Sequence, residues 1–165
     1  IAVVNMNAIV ISAIQLKTRK KEYFEALSKK KITALAFEYI KDEDGSYPAV
    51  KSLCEIAGIA SVLIAAELMI NNEFGKGLLL GNITGVPPTD VVILGAGTVG
   101  EFAAKTALGL GANVKVFDNS ITKLRRLQNN LNQRIFTSTK INGINQPHLS
   151  LGRSLFHIWI LVVFH

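Results

Sequence analysis

The sequence predicts an α/β fold: the first half of a doubly wound parallel sheet, preceded by part of a second α/β domain and a long linking helix. Three observations predict it. Residues 91–118, VVILGAGTVGEFAAKTALGLGANVKVFD, open with a short apolar run that reads as a buried parallel strand. Gly95, Gly97 and Gly100 follow as G-x-G-x-x-G, and a segment of helical spacing comes next. A second strand over residues 113–117 then ends on the acidic Asp118. A bare glycine triplet is weak evidence, whereas strand, glycines, helix, strand and terminal acid in this order point to a dinucleotide site.

Each residue type has a physical task in that pattern. Gly95 permits the tight turn out of the strand. Gly97 lets the backbone approach a diphosphate, and Gly100 lets the helix pack on the strand, the arrangement of a Rossmann-type sheet. The N–H groups at the helix start, around Thr98 and Val99, meet anionic charge with the positive end of the helix dipole. Asp118 lies 18 residues past the last glycine, placed to accept hydrogen bonds from both ribose hydroxyls. A carboxylate there repels a 2′-phosphate, so the expected cofactor is NAD rather than NADP. A flavin or S-adenosylmethionine is the alternative for such a turn.

Composition sets outer limits. A chain of 165 residues suffices for one good core, or one domain and part of another. With 49% hydrophobic residues it is not a disordered chain. Cys54 is the single cysteine, which rules out an internal disulfide and fits a reducing, cytoplasmic setting. The chain starts on Ile1 with no basic region before the apolar residues, so a partial sequence without a signal peptide is expected. No uninterrupted apolar run approaches the roughly 20 residues of a membrane span, so a soluble protein is expected.

The net charge of +6 is unevenly spread. Residues 17–31 hold seven basic and two acidic side chains, and no acid follows Asp118. No aromatic platform or recognition motif accompanies these charges, so a solvated helix face is expected rather than a nucleic-acid surface.

In chain order, residues 8–14 read as a buried strand, 18–30 as an amphipathic helix and 32–40 as a second strand. Asp42, Glu43 and Asp44 sit in a turn ending at Gly45 and lack the ligand spacing of a calcium loop. From Pro48 to about residue 70 runs a helix, apolar over most of its circumference and therefore expected to be buried. Its small residues Ala57, Gly58, Ala60 and Ser61 allow close packing. Its length of about 30 Å suits a connector. A Gly/Pro-rich loop follows. Residues 121–131 read as a helix and 134–138 as the start of a third strand. Residues 139–154 are polar without a clear period. Residues 156–165, FHIWILVVFH, read as an edge strand or an aggregation-prone end. His148, His157 and His165 fit no metal-ligand spacing, so no metal is expected. The implied divisions are 1–47, part of a substrate domain; 48–89, linking helix and loop; 90–138, half of a dinucleotide domain; and 139–165, a tail.

The segments ITALAFEYIKDEDGSYP, SLCEIAG, GKGLLLGNITGVPP and VVILGAGTVGEFAAKTALGLGANVKVFDNSITKLRRL carry a further signal. Over residues 11–137 the chain resembles alanine dehydrogenases and, more distantly, the NAD-binding subunit of proton-translocating transhydrogenases. The VPP run and ALGLGA are more similar to the first. The resemblance implies an NAD-dependent oxidoreductase that interconverts L-alanine and pyruvate, a small-molecule amino acid/2-oxo acid pair, as a homo-oligomer without nucleic acid or membrane. It implies that Gly95, Gly97, Thr98, Val99 and Gly100 contact the diphosphate and Asp118 the adenosine ribose, with Lys123 close by. Cys54 falls where the family commonly has a serine near the cofactor. Gln15 stands at the family's acid/base histidine, and Gln does not exchange a proton near neutral pH. The family's substrate-holding arginine and lysine, and its catalytic aspartate, have no counterpart here. The expectation is therefore a fragment inactive alone. Two other readings are a non-catalytic NAD(H)-binding or redox-sensing module and, more weakly, a transhydrogenase subunit.

Overall fold

The computed structural model describes residues 1–70, 73, 77–131, 133–140 and 159–163. The chain divides into two compact units, Ile1–Leu53 and Cys54–His165.

The first unit is a small βαβ arrangement. Strand β1 (Ile9–Ser12) is followed by helix α1 (Lys21–Lys29) and strand β2 (Thr33–Ala36). The strands pair in parallel, from Ile9 opposite Thr33 to Ser12 opposite Ala36. Both are shorter than the pattern predicts. The second strand stops because Phe37–Tyr39 tighten into a 3₁₀ turn. The expectation that residues 8–14 form a buried strand is also corrected: Ile9 and Ile11 are 68% and 67% exposed. Alternation here puts one face toward solvent rather than between two layers. In α1, Leu27 is buried and the Lys21–Glu25 pair lies in solvent. Lys30 departs from the solvated reading, donating to the carbonyls of Ile1, Ala2 and Val4 at 3.0, 2.9 and 2.7 Å.

Helix α2 (Pro48–Ile70) has the predicted bounds, with Pro48 in a first-turn position that needs no N–H partner. Its predicted burial is not found. Gly58, Val62 and Met69 are buried, while Leu53, Ile56, Leu63, Ile64 and Leu68 are about half exposed. An all-round apolar helix needs neighbours on every side, and among the described residues its buried positions lie on one. By length and composition alone α2 could cross a membrane, its most apolar 18 residues having a mean hydropathy of 2.1. No uninterrupted apolar run of that length is present, because charges such as Glu55 and Glu67 interrupt the helix without making it polar.

The second unit adds strand β3 (Asp90–Leu94), helix α3 (Thr98–Gly109), strand β4 (Asn113–Phe117), helix α4 (Ile121–Asn130) and strands β5 (Phe136–Ser138) and β6 (Trp159–Val163). The sheet order is β5-β4-β3-β6. Strands β3, β4 and β5 are parallel, with Asp90 opposite Asn113 and Leu94 opposite Phe117. Strand β6 runs antiparallel to β3, with Leu94 opposite Trp159. The edge of β3 away from β4 is therefore covered. The polar stretch 139–154 lies outside the described residues except for residues 139 and 140, and so do all three histidines.

The core explains why these elements hold. Val91 and Ile93 on β3, Val116 on β4 and Leu127 on α4 are fully buried, joined by Val62 of α2 and Ala103, Ala104 and Ala107 of α3. The alanines keep α3 close to the sheet. Gly58 does the same for α2: a Cβ there would sit 2.5 Å from the Val99 carbonyl oxygen and 2.7 Å from the Phe102 Cβ. Small residues were expected to allow close packing, and Gly58 is where the packing requires one.

Candidate dinucleotide site

The glycine turn between β3 and α3 is where sequence and geometry converge. Gly95 has φ of +113°, a conformation that side chains disfavour. Gly100 is required for another reason, since a Cβ would lie 1.9 Å from the Gly95 carbonyl oxygen. Gly97 has φ of −76°, open to any residue, and nothing lies within 4 Å of where its Cβ would be. That free space beside the start of α3 is what a diphosphate needs to approach the backbone.

Three successive peptide groups of the turn have partners. The Gly95 N–H donates to the Phe117 carbonyl at 2.7 Å. The Ala96 N–H donates to Asp118 Oδ2 at 2.8 Å. The Ala96 carbonyl accepts from Arg126 Nη2 on α4 at 3.3 Å. Asp118 thus stands at the end of β4 as predicted, with its side chain 7% exposed and Oδ1 accepting from the Ser120 N–H at 2.7 Å. Two backbone donors fix the carboxylate, and about four lone-pair sites leave acceptor capacity for ribose hydroxyls. Lys123 Nζ lies 4.0 Å from Asp118 Oδ2, and the Lys123 N–H caps onto Ser120 Oγ. Lys123 is thus beside the acid, with its side chain about half exposed.

The surroundings contain a charge the sequence reading missed. Glu101, in the first turn of α3, is a buried carboxylate that accepts from Lys105 at 2.8 Å and from Asn130 at 3.1 Å on both oxygens. Burial acts to raise its pKa, but the Lys105 and Asn130 hydrogen bonds, with the charges of Lys105 and Arg126, hold it below the ordinary carboxylate value. The i, i+4 spacing of Glu101 and Lys105 was a legible signal. The partnership with Asn130 on α4 was not.

Cys54 lies in α2 and is half-buried, with burial and then the charge of Glu55 pushing its thiol pKa up. A protonated thiol is a weak nucleophile, in keeping with a small packing residue. Among the described residues no group of three or more His, Cys, Asp or Glu side chains is placed to hold a metal.

Gln15 occupies a separate place in the first unit. It follows β1 with φ of +53°, unusual for a residue with a side chain. Its N–H donates to Glu38 Oε1 at 2.6 Å, and Thr18 Oγ1 donates to its carbonyl at 3.1 Å. Among the described residues, Glu38 Oε2 is buried without a hydrogen-bond partner. Burial raises the Glu38 pKa, but backbone N–H groups led by Gln15 outweigh it and lower the net value. Glu38 was not singled out from sequence, although its place at the end of β2 matches that of Asp118 at the end of β4.

The family model for the alanine dehydrogenase/PNT C-terminal domain matches residues 61–150, more than half of the chain. The chain belongs to that family. Members of the family depend on NAD(H). The chain is 39% identical over 113 residues to alanine dehydrogenase of Bilophila wadsworthia, and 41% over the same length to that of Methanococcus maripaludis. Each match covers 68% of this chain and 30% of the relative, so the chain spans about a third of the relatives' length. A solved L-alanine dehydrogenase superposes with a TM-score of 0.71 at 34% identity, covering 81% of this chain and 37% of that one. A transhydrogenase from Sinorhizobium meliloti superposes with a TM-score of 0.62 at 23% identity, covering 76% and 37%, and shares the fold.

Proposed function

We propose that the chain carries the first half of the NAD-binding domain of an alanine dehydrogenase-type oxidoreductase. The observation that carries this reading is the glycine turn with Gly97 open beside the start of α3 and the Asp118 carboxylate fixed at the end of β4. In this reading the N–H groups of Gly97, Thr98 and Val99 face the cofactor diphosphate, and Gly100 keeps α3 close enough for them to do so. Asp118 accepts from the adenosine ribose and repels a 2′-phosphate, with Lys123 at its flank. Cys54 is the remaining candidate for the cofactor's surroundings. Residues 1–47 belong to the substrate domain, 48–89 link it, and 90–138 hold the half-site, followed by the tail 139–165.

The parent reaction is reversible oxidative deamination: L-alanine, NAD⁺ and water give pyruvate, ammonium, NADH and a proton. The bound cofactor supplies the hydride acceptor; this chain's part is to bind and orient it. A homo-oligomeric, cytoplasmic enzyme acting on an amino acid/2-oxo acid pair is the corresponding whole protein. Gln15 favours a second reading, a non-catalytic NAD(H)-binding module, because a carboxamide holds no exchangeable acid/base proton at neutral pH.

Calorimetric titration of the purified chain with NADH and NADPH, beside Asp118→Ala, tests the cofactor reading. Saturable binding that prefers NADH and weakens in the variant is expected. Absence of binding by a folded chain overturns it. The chain alone is expected not to reduce NAD⁺ with L-alanine. A complete protein that binds NADH yet stays inactive with L-alanine supports the non-catalytic reading.

A further inference from the structure

We propose that Arg126 is a positioning residue that fixes the Gly97 N–H as a diphosphate donor by holding the Ala96 carbonyl. The inference rests on the dinucleotide reading of the turn. A peptide group is planar, with its C=O and N–H pointing in opposite directions. The Ala96 carbonyl and the Gly97 N–H belong to one such plane, so a donor on the oxygen sets the direction of the hydrogen. The two preceding planes are already fixed, by Phe117 through the Gly95 N–H and by Asp118 through the Ala96 N–H. The third relies on the 3.3 Å hydrogen bond from Arg126 Nη2. It enters a glycine whose Cα has no neighbour within 4 Å in the Cβ direction, and glycine is the residue least able to resist a peptide rotation.

Arg126 is itself held by its surroundings. It sits on α4, whose Leu124 and Leu127 are buried and whose Asn130 reaches the Glu101 carboxylate on α3. The charge of Arg126 acts on the same carboxylate. Glu101 therefore seats α4 against α3 and balances the guanidinium, which leaves Arg126 directed at Ala96.

The test uses the full chain, isotopically labelled, with the variants Arg126→Leu and Arg126→Lys. Two quantities are read: the Gly97 amide in ¹⁵N–¹H spectra with its hydrogen-exchange rate, and the dissociation constant for NADH. In Arg126→Leu the Gly97 amide is expected to shift and exchange faster, and NADH to bind about fivefold to tenfold more weakly, the loss of one hydrogen bond. Arg126→Lys, which keeps a donor, is expected to recover most of both. An Arg126→Leu protein with an unchanged Gly97 amide overturns the proposal, whether NADH affinity is unchanged or falls through lost charge alone. If the parent chain does not bind NADH, the cofactor reading fails, and the response of the Gly97 amide still decides the role of Arg126.

Discussion

Two of the parallel strand pairs, β1–β2 and β3–β4, share one device in different settings. In the second unit, β3 leads into a turn whose Ala96 N–H is held by Asp118 at the end of β4. In the first, β1 leads into a turn whose Gln15 N–H is held by Glu38 just past β2. Each time a carboxylate after the second strand accepts from the backbone after the first. The residues so held differ. Gly95, Gly97 and Gly100 leave the turn after β3 short of side chains, whereas Gln15 and Leu16 carry exposed side chains after β1. The sheets differ too: Val91 and Ile93 of β3 are fully buried, while Ile9 and Ile11 of β1 face solvent. The same βαβ topology thus carries a side-chain-poor turn in one unit and a side-chain-bearing turn in the other, and the glycines make the difference.

The largest effect is expected at Gly100. Gly100→Ala forces a Cβ to 1.9 Å from the Gly95 carbonyl oxygen, and backbone cannot yield as a side chain can. A loss of about 3 kcal/mol or more is expected in denaturant unfolding, with NADH binding abolished.

Gly58→Ala comes next. Its Cβ meets the Val99 carbonyl oxygen and the Phe102 Cβ, pushing α2 off the start of α3. Overpacking outweighs the better helix propensity of alanine, so a net loss of about 1–2 kcal/mol is expected in the same assay. An unchanged stability would show that α2 yields freely at this contact.

The carboxylates sharpen the comparison through pH. Glu101 has a folded-state pKa below its ordinary value. Its stabilisation is therefore fully present above the ordinary glutamate value, about 4.3. It is lost as pH falls through the lowered folded value. Glu101→Gln is expected to cost about 1–2 kcal/mol at pH 7 and to flatten that acid limb in an unfolding series.

Glu38 is lowered in the same direction by backbone donors, so its contribution fades over the same acid range. The effect of Glu38→Gln is the smallest expected. It appears as a weaker acid dependence and faster exchange of the Gln15 amide, with NADH affinity unchanged. A fall in NADH affinity would mean that the two strand-end carboxylates do not act independently.

Much of the second unit was legible because its signals are local. The bounds of β4 were read directly, and those of α4 to within one residue, from an apolar run ending on an acid and from apolar residues at helical spacing. In the first unit the predicted strands ran long, since β-branched residues continue past the point where Phe37–Tyr39 tighten the chain. The hydrogen bond from Arg126 to Ala96 spans 30 residues, and no spacing rule announces it.

The sequence by itself determined the glycine turn, its order of strand, helix and strand, and the acid that closes it, because these depend on backbone freedom and short-range periodicity. Which partners fix the turn, the burial of Glu101 and, among the described residues, the one-sided packing of α2 emerge only in three dimensions. So does the cover that β6 gives the edge of β3. Those outcomes depend on what lies across from a residue in space, and composition along the chain carries no record of that.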